Sequence, residues 1–96
     1  MGYRLSPLAQ ADLDDIWNYS FEQWGLDQAE TYIRDIRAAI EAAAERGAKG
    51  RRCDDIRPGY FKRAAGSHMM FYRLVDADIE IVRILHGRMD FDSHLD

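Results

Sequence analysis

Gly66-Ser67-His68-Met69-Met70-Phe71-Tyr72-Arg73 and, after a short apolar run, Arg83-Ile84-Leu85-His86-Gly87-Arg88-Met89-Asp90 are the stretches that decide the fold. Apolar side chains recur there at the short period of a strand rather than at helical spacing. Working outward, residues 61–65, 67–75 and 79–86 read as three strands. Gly66 separates the first two, and Asp76-Ala77-Asp78 is short enough for a hairpin, so the last two strands should pair antiparallel. Strict alternation over the final strand puts Ile79, Ile81, Arg83 and Leu85 on one face, with Glu80, Val82, Ile84 and His86 on the other.

The first half has a different period. Tyr3-Arg4-Leu5-Ser6 is β-compatible, and Ser6-Pro7 then supplies an N-cap with proline at the first helical position. Over residues 8–24, Ala9, Leu13, Ile16, Trp17 and Trp24 fall on one helical stripe that reads as core, while Tyr19 and Phe21 lie off its centre and suit a partner. Gly25 is placed to end that helix. Asp27-Gln28-Ala29-Glu30 has capping-box spacing for a second helix, whose stripe is Ala29, Tyr32, Ile33, Ile36, Ala39, Ile40 and Ala43, ending near Arg46-Gly47. The charged, glycine-containing residues 47–55 read as a loop. The expected architecture is α+β: an N-terminal strand, an antiparallel helical hairpin, and a three-stranded antiparallel meander forming one curved sheet whose second face stays partly open.

At 96 residues the chain reads as a single domain, 1–96, with one modest core. No apolar run reaches membrane-span length and no leader-like segment opens the sequence, which points to the cytoplasm and to no membrane partner. Of the formal charge of −4, residues 1–50 hold 5 basic and 9 acidic side chains and residues 51–96 hold 8 of each. That balance argues against a protein that must dock on RNA, while leaving room for a local basic patch.

Few groups suggest chemistry. Cys53 is the lone cysteine, so an internal disulfide and a thiolate cluster are excluded, and it reads as a bystander. His86, Asp90 and His94 have helical metal-site spacing, but His86 ends a strand, so no metal and no cofactor is expected. His68 reads as a hydrogen-bonded structural histidine. Arg83, set among apolar residues, needs a partner, and Asp54, Asp55, Asp90 and Asp92 are the carboxylates considered.

The pattern resembles the RelE/ParE toxin superfamily, closest to its ParE branch. The similarity runs from Tyr3-Arg4-Leu5-Ser6 through Asp12-Leu13-Asp14-Asp15-Ile16-Trp17 and the Gly25 turn to residues 57–95. Its most specific parts are Gly66-Ser67-His68 with Phe71-Tyr72-Arg73, and Arg83-Ile84-Leu85-His86 with Arg88-Met89-Asp90. The resemblance implies a non-enzymatic toxin that poisons DNA gyrase through Arg83, His86, Arg88 and Met89. It also implies a cognate ParD-type antitoxin, contacted through Trp17, Phe21, Tyr32 and Ile36. The two would form a hetero-oligomer that meets operator DNA only through the antitoxin. In the RelE branch the implied activity is instead ribosome-dependent cleavage of messenger RNA, for which Lys62, Arg63, Arg73, Arg83 and Arg88 would supply charge and His94 proton transfer. A third implication is a toxin fold that retains only antitoxin binding.

Overall fold

Ser6 joins strand to helix by three bonds at once. Its Oγ accepts from the Ala9 N–H at 3.0 Å and donates to the Val82 carbonyl at 2.7 Å, while its N–H donates to the Ile81 carbonyl at 2.9 Å. The cap that starts the first helix therefore also pins it to the last strand. In the computed structural model, which describes residues 2–46 and 50–86, the order is β1 Tyr3–Leu5, α1 Pro7–Trp24, α2 Leu26–Arg46, β2 Arg51–Arg52, β3 Tyr60–Ala65, β4 His68–Val75 and β5 Asp78–His86.

The expected α+β architecture of strand, helical hairpin and antiparallel meander is the one observed, with two additions. The sheet has five strands in the order β1-β5-β4-β3-β2, and β1 lies parallel to β5. The segment read as a loop contributes β2, which pairs Arg51 with Lys62 and Arg52 with Phe61 at the sheet edge. Both meander turns are two-residue loops whose first residue has positive φ, Gly66 at 63° and Asp76 at 57°. That backbone matches the twist of the flanking strands.

Gly25, at φ 87°, is all that separates the helices. Its N–H closes α1 on the Phe21 carbonyl and its own carbonyl accepts the first α2 bond from Ala29. The capping box expected at Asp27 is therefore not formed, because α2 begins two residues earlier, at Leu26, with Gly25 in the capping place. Ala29, Ile36, Ile40 and Ala43 are buried as the second stripe required. The first stripe holds at Ala9 and Ile16 but fails at Trp24, which is 57% exposed past the point where the helix leaves the sheet.

Strict alternation also fails in β5. Phe71 pairs with Arg83 but Tyr72 with Ile81, so Val82 is an extra residue, a bulge that shifts the parity of everything after it. Ile79, Ile81 and Ile84 accordingly face the helices together with Ile36, Ile40, Phe61, Met70 and Tyr72, while Leu85 packs on the opposite face with Cys53 and Phe71. Ile56, Tyr60 and Met69 pack around that second cluster, so the connection between β2 and β3 covers part of the face expected to be open. Cys53 is wholly buried there, and burial raises its thiol pKa, which suppresses thiolate chemistry.

Candidate functional site

The β5 bulge leads to the best-built polar contact in the molecule. Arg83, freed from the alternation, forks onto Asp12 of α1: Nε donates to Oδ2 and Nη2 to Oδ1, both at 2.8 Å, and the Ile84 N–H donates to the same Oδ2 at 2.9 Å. The two side chains are only 14% and 13% exposed, and the hydrogen bond to Asp12 raises the Arg83 pKa further. Of the carboxylates weighed from sequence, Asp54 pairs instead with Arg52, while Asp90 and Asp92 lie outside the described residues. Asp12 stands 71 positions away in the chain, so no local spacing points to it.

Next to this clamp, Tyr32 of α2 reaches the β3–β4 turn. Its hydroxyl accepts from the Ser67 N–H at 2.8 Å and lies 2.7 Å from His68 Nδ1. The amide can only donate, so the phenol oxygen accepts from Ser67, and the direction of the bond to Nδ1 follows the His68 tautomer. The His86 ring stands edge-on to His68 at 5.4 Å between centroids, the two being register partners across β4 and β5. Burial first, then the neighbouring His86 charge, lowers the His68 pKa, against a smaller opposing pull from Asp12.

A depressed imidazole pKa means that the unfolded chain binds the extra proton more readily than the native one. His68 therefore contributes stability that is present above its unperturbed value of 6.5 and lost as pH falls from there through the folded value. The unfolding free energy should decline over that acid window, and His68→Gln should flatten the decline. An equal slope in the variant would show that other groups carry it.

These residues line a groove of about 610 Å³ between α1 and the free ends of β4 and β5. Asp12, Asp15, Ser20 and Ile16 form its α1 wall, Ser67, His68, Ile84 and His86 its sheet wall, and Tyr19, Trp24 and Tyr32 its aromatic rim. Tyr19 and Trp24 meet edge to face at 5.9 Å and are 59% and 57% exposed. Phe21 and Leu26, about half exposed, extend this apolar surface beside the groove. The Asp15 carboxylate in the α1 wall and the aromatic rings on the rim suit a partner with apolar and cationic side chains.

The residues singled out from sequence do not form one constellation. Arg83 is structural in geometry, whereas His86 is exposed at the groove. Arg88, Met89, Asp90 and His94 lie outside the described residues. Tyr32 lines the groove; Trp17 and Phe21 stack on each other at 6.4 Å along α1. Ile36 is wholly buried in the main core, so it has no surface to offer a partner. Trp24 was assigned to the core, and its place on the rim has no sequence signal beyond its position beside the Gly25 break. Of the cations considered for RNA chemistry, Arg73 is held by Glu80 at 2.8 Å and Arg83 by Asp12, while Lys62 and Arg63 lie side by side in the middle of β3.

Within the described residues no helix is long and apolar enough to cross a membrane. By fold, the chain superposes on a solved structure described as the chromosomal ParDE TA system from P. aeruginosa, with a TM-score of 0.76 and 23% identity, covering 90% of this chain and 95% of that one. By sequence it is 52% identical over 94 residues to Toxin ParE1 of Mycobacterium tuberculosis (strain H37Rv), covering 97% of this chain and 96% of that protein. Toxin ParE1 of Caulobacter vibrioides is 48% identical over 93 residues, again with 97% and 96% covered. The family model for the ParE toxin of type II toxin-antitoxin system, parDE, matches residues 3–91, which takes in the Ser6 cap, the Asp12–Arg83 clamp and the histidine pair. With the match running unbroken from the first strand past the last, the chain belongs to the ParE toxin family of type II toxin–antitoxin systems.

Proposed function

We propose that this toxin acts in the cytoplasm by binding DNA gyrase and trapping its cleaved-DNA state, performing no catalytic step itself. A ParD-type antitoxin neutralises it by docking in the groove between α1 and the strand ends. Family membership supports the gyrase target. The observation that carries the non-enzymatic reading is the character of the groove: the histidine pair sits beside Asp12 and Asp15, a setting that disfavours a scissile phosphate, and His68 Nδ1 is engaged by Tyr32. The exposed Tyr19 and Trp24 are the kind of aromatic anchor that dominates the energy of a partner interface.

The primary test is a supercoiling and cleavage-complex assay with purified gyrase, with and without antitoxin. Accumulated cleaved DNA that antitoxin abolishes is the expected result. A toxin that arrests growth yet leaves gyrase unaffected would transfer the assignment to messenger RNA cleavage on the ribosome. For the groove, Trp24→Ala should weaken antitoxin binding by about 30-fold, the equivalent of an interface hot spot of about 2 kcal/mol. Thermal stability should be little changed, because the side chain is exposed. An affinity within threefold or so of wild type, measured by calorimetry, would place the antitoxin elsewhere.

A further inference from the structure

A chain with a net charge of −4 nevertheless gathers four cations around one hollow. Arg46 at the end of α2, Arg51 of β2, and Lys62 and Arg63 of β3 line a concavity of about 350 Å³ that has no carboxylate among the described residues of its wall. Arg51 and Lys62 are direct register partners, and like charges placed opposite each other across strands are destabilising. Arg46 has a structural reason for its place, since a cation in the last turn of a helix meets the negative end of the dipole. Arg51 and Lys62 have none. Neighbouring Arg52 has Asp54 at 2.8 Å, and Arg73 and Arg83 each have a carboxylate at the same distance. Among the described residues no ion pair joins any of the four cations of the hollow. Burial pushes the Tyr72 phenol pKa up, and Arg63 and Arg46 hold that rise back, while Lys62 opposes the effect of burial on the Cys53 thiol.

The wall also lacks what a peptide partner needs. None of the exposed large hydrophobic side chains lies there, so an amphipathic or anchored segment finds no pocket. Four positive charges exceed what one phosphate dianion neutralises, and suit instead a run of phosphates along a backbone. We propose that Arg46, Arg51, Lys62 and Arg63 form a phosphate-binding site that grips a nucleic-acid backbone without reading its sequence. The site is separate from the antitoxin groove. No described residue lines both the groove and the hollow. A groove filled by antitoxin therefore leaves the hollow open, and the site stands whether or not gyrase is the target.

The test is fluorescence anisotropy of the purified toxin alone with labelled duplex DNA, single-stranded DNA and RNA of scrambled sequence, over a range of salt. All three should bind at low salt. Charge reversal of both register partners, R51E with K62E, should weaken binding at least tenfold or so and reduce the slope of log K against log salt by about 2. The neutral pair R51Q with K62Q should give an intermediate loss and covers the case in which reversal unfolds the edge, as judged by circular dichroism. R4E, on β1 at the opposite edge of the sheet, should bind like wild type. The proposal is overturned by undetectable binding, by binding that survives both double variants, by marked sequence preference, or by a glutamate-rich peptide of equal charge that competes as well as DNA.

Discussion

Asp12→Ala is expected to destabilise the toxin by about 3 kcal/mol, because removing one partner of a buried ion pair strands the other. Arg83 would keep its charge at 14% exposure without the carboxylate its fork grips, and the Ile84 N–H would lose its acceptor as well. Small residual exposure places the cost at the lower end of the range for such losses. In a domain of this size that is a large part of a total stability of roughly 5–15 kcal/mol. Urea unfolding measures it directly, and a loss below about 1 kcal/mol would falsify the clamp. A double-mutant cycle with Arg83→Ala should return a coupling of about 1–3 kcal/mol, since the two substitutions remove the same contact. The cycle also bears on function: any loss of toxicity in Arg83→Ala has to be compared with its loss of fold before the guanidinium is assigned to a target.

Gly66→Ala should cost nearly as much, by a different route. The backbone there has φ +63°, and an added Cβ would lie 2.6 Å from Tyr32 Cε1 and 2.7 Å from its hydroxyl. Holding a non-glycine residue in the left-handed region costs roughly 1–2 kcal/mol. Pushing Tyr32 aside also breaks its bonds to Ser67 and His68, each worth about 1 kcal/mol. A total of about 3 kcal/mol follows. Gly59→Ala is the matched control: φ is +82° but nothing lies within 4 Å, so only the backbone cost of about 1 kcal/mol remains. Equal destabilisation of the two variants would mean that the Tyr32 contact is easily relaxed.

The features legible in the sequence were those set by neighbours in the chain. Ser6 and Pro7 announce α1, Gly25 announces the break, the Ala29 to Ala43 stripe announces the buried face of α2, and Gly66 and Asp76 fall at the hairpin loops. What escaped depended on residues far apart or on a shift of one position. The Val82 bulge has no local signature, yet it decides that Ile84 rather than Leu85 joins the main core. Asp12 read as one more acid on a polar helix face, because nothing near it names Arg83. The parallel pairing of β1 with β5 is equally silent, since a three-residue strand carries almost no periodicity. At the candidate site, Tyr32 was picked as a contact residue, but its bond to His68 was not foreseeable from spacing, and Trp24 was hidden by falling on the core stripe. The basic hollow was half visible: Lys62 and Arg63 were noted as charge, while Arg46 and Arg51 join them only once α2 and β2 are placed.

The pairing of β1 with β5 also bears on how the toxin comes into being. Ser6 closes on Val82 and Asp12 on Arg83, contacts separated by 76 and 71 positions, so the α1 wall cannot be joined to the sheet until β5 has been synthesised. Long-range closure of this kind is late and comparatively slow in folding. During translation the emerging helices have no completed sheet to bury their stripes, and the groove does not yet exist as a shape. Whatever the groove receives can therefore bind only after β5 has joined the sheet, because Ile84 and His86 complete its wall.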